Sequence, residues 1–156
     1  MTLATHTAIG AGIGYVIGNP IIGFLLGFSS HFLADMIPHG DYKLAHELRV
    51  EKKKKKALTL ISIDAIASIF VMLIIFNLEL ASSTRAVSAA IAGSVLPDLL
   101  SGLYDVTKSK YLYHYNKFHF FFHDSIVKRL GDVRLEYSVI CQLAFIAAVI
   151  VWISPK

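Results

Sequence analysis

From Ala57 to Leu78 the chain runs for 22 positions with one formal charge, Asp64, and no other feature constrains its fold as tightly. A helix needs about 20 consecutive apolar residues to cross the hydrocarbon core of a bilayer. A second run, Val133 to Ser154, carries charges only within its first four residues. The 156-residue chain is 55% hydrophobic, against about 45–50% in soluble domains. These features predict an integral membrane protein, with residues 1–156 forming a single membrane-embedded domain.

The pattern divides into five candidate membrane helices: about Leu3–Ile17, Pro20–Ile37, Ala57–Leu78, Arg85–Leu103 and Val133–Ile153. A Gly18-Asn19-Pro20 turn separates the first two, and proline at a helix start needs no N–H partner. Between the last two lies YLYHYNKFHFFFHDSIVKRL, whose aromatic and basic residues suit a helix lying in the membrane interface. The expected fold class is therefore all-α, a polytopic bundle of about five transmembrane helices plus an interfacial helix. Gly10, Gly14 and Gly18 repeat every four residues, as do Gly23 and Gly27, a spacing that lets helix backbones approach closely in lipid. GAGIGYVIG has the wrong spacing for a dinucleotide loop, and no strand precedes it. The N-terminus lacks a basic leader region, so no cleavable signal is expected. Cys141, the only cysteine, is expected to be a buried, inert thiol in the last apolar run.

Charge sets the topology. Of the fifteen Lys and Arg residues, seven fall between Pro38 and Lys56 and six between Tyr104 and Arg134. With five spans these two segments share one side, leaving Arg85 and Lys156 opposite. Thirteen against two predicts a multi-pass protein of the cell (inner) membrane with both loops and the N-terminus cytoplasmic. The basic residues are thereby assigned to topology, with the Lys52–Lys56 run also able to gather anionic lipid headgroups, and not to nucleic acid.

Ionisable residues then stand out. GFLLGFSSHFLADMIPHGD is mostly fit for lipid, yet carries His31, Asp35 and His39 at intervals of four. On the five-span topology His6, His31, Asp35, Asp64, Asp98, His119 and His123 all fall at one face of the membrane. An Asp at mid-helix costs about 2.5 kcal/mol or more, and needs a partner. Sharing one cation satisfies all of them, and imidazole with carboxylate is a ligand set for zinc, or for manganese or iron where oxygen dominates. Residues at i and i+4 project from one helix face, so His31/Asp35 and His119/His123 each form a two-ligand clip. Each residue also has a plain structural reading. His31 with Asp35 can be a private ion pair, Asp64 can pair with Ser68, and Asp98 can satisfy backbone freed where Pro97 breaks the helix. The phenylalanines around His119 and His123 can be a membrane anchor. His39, Asp41, His46 and His114 read as loop residues, and the joint gathering of the others on one side favours a site.

Several of these segments resemble a known family. Thr5-His6, GFSSHFLADMIPHGD, SVLPDLL and the late His pair followed by Ser125 are similar to small bacterial inner-membrane proteins identified as metal-dependent hydrolases, whose founding member is under LexA control. Gly27, Ser30, His31 and Asp35 match that family's G-x-x-S-H-x-x-x-D segment, and Leu96-Pro97-Asp98 its Leu-Pro-Asp motif. Leu99 and Leu100 stand where the family often has an acidic residue and His, and FHFFFHDS follows the S-H-x-x-x-D segment, whereas the family's His pair precedes it. The resemblance implies a metal-dependent hydrolase. His6, His31, Asp35, Asp98, His119 and His123 are the expected ligands of one or two divalent ions, with Asp64 or His39 relaying a proton. A site at headgroup depth points to a lipid or lipid-linked phosphoester substrate. The alternatives are a divalent-metal-binding or transporting membrane protein without hydrolytic activity, and a scaffold held by salt bridges.

Overall fold

The computed structural model describes residues 1–41, 54–78 and 83–155, and among these the chain forms six α-helices and no strand. They are α1 Leu3–Ile17, α2 Pro20–Asp35, α3 Lys54–Asn77, α4 Thr84–Thr107, α5 Lys110–Leu130 and α6 Leu135–Ile153. The expected His46 loop and the first two lysines of the run, Lys52 and Lys53, lie outside the described residues.

Local chemistry explains the boundaries. Thr2 caps α1 by accepting from the Thr5 N–H, and Gly18 ends it in the left-handed region at φ 63°. Asn19 then caps α2, with Pro20 in its first turn. The helix expected over Arg85–Leu103 runs through Pro97 and continues ten residues beyond it, to Thr107, so the plain reading of Asp98 as satisfying a break there does not hold. Two carbonyls in this stretch take side-chain donors. The Ser94 carbonyl accepts from His31 Nδ1 at 2.8 Å, and the Pro97 carbonyl accepts from the Tyr115 hydroxyl at 3.1 Å.

Helix α1 is the hub, packed on α2, α3, α4 and α6, while α5 lies across α4 and α2. The apolar core joins Ala4, Ala8 and Ala11 of α1 to Val71 and Ile75 of α3, Val87 and Ile91 of α4, and Ile146 and Val149 of α6. Small residues make the closest approaches. A Cβ on Gly10 would lie 2.7 Å from Ile91 Cα, and one on Gly27 would lie 2.2 Å from the Ala90 carbonyl oxygen. Polar pairs stitch the same contacts. Thr7 meets Ser68 at 2.7 Å, Ser94 donates to the His6 carbonyl at 2.8 Å, and Thr5 donates to Gln142 at 2.9 Å.

The outer surface is apolar. Ile63, Ile66, Phe70 and Leu73 on α3, and Ile140, Leu143, Val151 and Trp152 on α6, are all exposed, far more than a soluble monomer leaves open. Thr59–Asn77 of α3, all of α4 and all of α6 are long and apolar enough to cross a membrane. The 15 and 16 residues of α1 and α2 are apolar but shorter, about 22–24 Å at 1.5 Å per residue against a core of about 30 Å. Cys141 is exposed on α6, not buried as expected, because its helix meets the bundle along the stripe of Ser138, Gln142, Ile146 and Val149.

Gly27→Ala must therefore push α2 off α4, costing about 1–3 kcal/mol or more. Gly102, in the same bundle, has nothing within 4 Å of an added Cβ. Thermal unfolding in detergent should show a large loss for Gly27→Ala and none for Gly102→Ala. Equal effects would contradict the close packing described here.

Candidate metal centre

Two groups of imidazoles and carboxylates meet at one end of the bundle, where α1 starts, α2 ends, and the later part of α4 faces α5. The first comprises His31, Asp35, Asp98 and His119, with one ligand atom from each lying within 4.8 Å of all the others. The second comprises His39, Asp41 and His123, by the same measure.

Asp35 is the centre of the first group. Its carboxylate is 1% exposed, at the C-terminal end of α2. Oδ1 lies 3.0 Å from His6 Nε2 and 2.6 Å from the Met1 amino nitrogen, while Oδ2 lies 3.2 Å from His31 Nε2 and 3.4 Å from His119 Nε2. Both imidazole nitrogens also stand 3.7 Å from Asp98 Oδ1. Ligands bound at about 2.0–2.2 Å around a tetrahedral ion are roughly 3.3–3.6 Å apart. The four nitrogen–oxygen separations, from 3.2 to 3.7 Å, are close to that spacing.

The hydrogen bonds behind the histidines fix which nitrogen faces inward. A carbonyl oxygen only accepts, so His31 Nδ1 carries a proton for the Ser94 carbonyl (2.8 Å), and His39 Nδ1 one for the Ile37 carbonyl (2.6 Å). His119 Nδ1 pairs with the Ser101 hydroxyl at 2.8 Å, and His123 Nδ1 with the Asp124 carboxylate at 3.1 Å. In all four, Nε2 points towards the carboxylates, the arrangement by which outer partners orient metal-binding imidazoles. Among the described residues neither His31 Nε2 nor Asp35 Oδ2 makes a hydrogen bond, although both are buried. They stand 3.2 Å apart but are not aligned as donor and acceptor, so a buried imidazole nitrogen and a buried carboxylate oxygen face one space without bonding each other. A cation there could engage both, and the set of imidazole nitrogens and carboxylate oxygens could hold a divalent ion.

In the second group, His39 Nε2 lies 2.9 Å from Asp41 Oδ2, and His123 Nε2 3.3 Å from Asp41 Oδ1. Both histidines are buried, on the Pro38 turn and on the inner stripe His119–His123–Val127 of α5. Burial pulls the His123 imidazole down, but hydrogen bonds to Asp124 and Asp41 outweigh it, raising its pKa to about 9. Burial would raise the Asp41 carboxyl, yet His123 and His39 hold it well below the usual carboxylate range.

The structure thus brings together His31, Asp35, Asp98 and His119 of the expected ligands, and places His123 in the neighbouring group with His39. His39 was expected as a proton relay. His6 belongs to neither group: it stacks on His31 at 4.0 Å between ring centroids and holds Asp35 through Nε2. Asp64 also stands outside both, because its carboxylate accepts from the Leu3 and Ala4 N–H groups at 2.7 and 3.2 Å, capping α1 from α3. Sequence reasoning missed Asp41, set aside as a loop residue, and Asp124 beside His123; the spacings His39-x-Asp41 and His123-Asp124 were the available signals. His114 is exposed on helix α5, away from both groups.

His123 gives a pH test of the metal-free protein. Its folded pKa of about 9 exceeds the ordinary 6.5, so its contribution to stability is complete below about pH 6.5 and lost as pH rises through 9. The groups facing it are Asp41, Asp124 and His39. With chelator present, the stability advantage of wild type over His123→Gln should be largest near pH 6 and shrink by pH 10. A pH-independent difference would contradict the assigned contacts.

No family model matches this chain, and neither the curated proteins nor the solved structures compared with it contain a match.

Proposed function

We propose that this protein is a membrane-bound, metal-dependent hydrolase whose site opens at the cytoplasmic surface of the inner membrane and acts on a lipid or lipid-linked phosphoester. The observation that carries the reading is the convergence of His31 and His119 Nε2 on Asp35 and Asp98, with both Nδ1 atoms anchored from behind. The family resemblance in the S-H-x-x-x-D and Leu-Pro-Asp motifs, His31, Asp35 and Asp98 among them, supports the same residues. In this reading α1 and α2 also cross the membrane, giving five spans, and α5 lies in the interface with Tyr111, Phe118 and Phe121 exposed. The thirteen-to-two division of basic residues supports placing the site on the cytoplasmic side.

His31, Asp35, Asp98 and His119 would hold the ion, most simply zinc, with manganese or iron as oxygen-tolerant alternatives. A bound divalent ion supplies Lewis acidity and lowers the pKa of water towards neutrality. The protein's own residues do the rest. Ser94 and Ser101 fix the two rings, and His6 positions Asp35 through its Oδ1. Asp98 is 32% exposed, whereas His31, Asp35 and His119 are at most 2% exposed, so the mouth of the site is on the Asp98 side. Its carboxylate is the group in contact with both rings and with solvent, and the one placed to take a proton from water. In the overall reaction the water oxygen bonds to phosphorus, the phosphorus–oxygen bond to the leaving alcohol breaks, and the water proton ends on that alcohol.

Purified protein should hydrolyse members of a lipid phosphoester panel, lose activity in chelator and recover it with zinc. His31→Ala should lower activity at least about 100-fold with the fold intact, and His114→Ala should not. A wild-type chain that hydrolyses nothing on a broad panel, yet moves divalent metal across liposomes, would replace this reading with transport.

A further inference from the structure

The second group is more than a margin of the first. Asp35 Oδ1, in the first group, and His39 Nε2, in the second, both touch the amino nitrogen of Met1, at 2.6 and 2.5 Å. Those two atoms, one from each group, therefore lie within about 5 Å of each other, while Asp35 Oδ2 faces His31 and His119. Asp41 Oδ2 stands 3.8 Å from the same nitrogen. The Met1 nitrogen thus sits where the two groups meet, within reach of acceptor atoms of both. Two-ion catalytic sites place their ions roughly 3.5–4 Å apart and suit in-line displacement at phosphorus. The two clusters adjoin, with the rings of His119 and His123 6.4 Å apart between centroids, so ions held in both would be neighbours.

We propose that His39, Asp41 and His123 hold a second divalent ion beside the first, so that the two groups form one two-ion centre for a phosphoester. The second group has every part of an independent site. It offers two imidazole nitrogens and a carboxylate, with Asp41 Oδ1 and Oδ2 3.3 and 3.4 Å from His123 Nε2. Its rings are held from outside by the Ile37 carbonyl and the Asp124 carboxylate. The Asp124–His123 pair repeats the carboxylate–histidine arrangement that raises imidazole basicity towards a metal. Three protein ligands leave a position open, as catalytic sites do. Asp41 is 31% exposed and Asp98 32%, so each group has its own accessible carboxylate. The phosphoester assignment rests on the hydrolase reading above; the second ion does not.

The full chain, purified in detergent, stripped with chelator and equilibrated with zinc, should retain about two zinc ions per chain by elemental mass spectrometry. Asp41→Asn with His123→Gln should retain about one, as should His31→Gln with His119→Gln, while His114→Gln should retain two. Asp124→Asn should weaken binding of one zinc about 10–100-fold and leave the other unchanged. Wild type saturating at one zinc, or an Asp41/His123 variant holding the wild-type number, overturns the second site. If the variants fail to fold, manganese-loaded wild type decides: an exchange-coupled paramagnetic resonance signal supports the pair, and isolated six-line manganese alone refutes it. Two zincs without hydrolysis of any lipid phosphoester would overturn the substrate assignment while upholding the second ion. Hydrolysis with one zinc would do the reverse.

Discussion

A carboxylate that is almost wholly enclosed, Asp35, sets the terms for the rest of this structure. A carboxylate taken out of water is costly unless positive charge or hydrogen-bond donors surround it. Four nitrogens stand within 3.4 Å of it here, those of His6, His31, His119 and the Met1 amine, drawn from the start of the chain, α1, α2 and α5. The donors are not in balance, because Oδ2 and His31 Nε2 are close without sharing a hydrogen bond. Buried groups left in that state are costly unless another partner satisfies them. The same imbalance that makes this a poor salt bridge makes it a good cation site.

The scaffold exists to hold those few atoms in register. Helices α1 and α2 reach α4 through glycines whose added Cβ atoms would strike its backbone, so the three share nearly touching main chains. That closeness lets Ser94, on α4, serve two neighbours at once. Its carbonyl takes the His31 proton from α2, and its hydroxyl reaches the His6 carbonyl of α1. Near Pro97 the same helix takes a second outside donor, the Tyr115 hydroxyl of α5 on the Pro97 carbonyl. Asp64 contributes from α3 by fixing the start of α1 and hence the ring of His6. A residue with no part in either ligand group thereby controls where the centre forms.

Much of this was legible in the sequence. Apolar runs and Gly-Asn-Pro punctuation place the helices to within a few residues, because hydropathy and turn chemistry are local properties. The i, i+4 clips His31/Asp35 and His119/His123 were legible because helical periodicity is local too. What was not legible is the division of labour. His119 and His123 are one turn apart, yet they serve different groups because α5 passes from α4 towards the Pro38 turn, a crossing that no local pattern encodes. Asp64 was misread for a similar reason: its partners are backbone N–H groups some sixty positions away. Asp41 sits in a polar turn and looks like an ordinary solvated carboxylate until the fold brings His123 against it.

The inward-facing imidazoles and carboxylates at one end of the bundle could hold a divalent ion, and the proposed hydrolysis depends on that ion. X-ray absorption at the zinc edge of zinc-loaded protein in detergent tests that claim most directly. The account predicts nitrogen and oxygen neighbours at about 2.0–2.2 Å together with the outer-shell scattering of at least two imidazole rings. A spectrum of oxygen neighbours alone, without imidazole scattering, would contradict it.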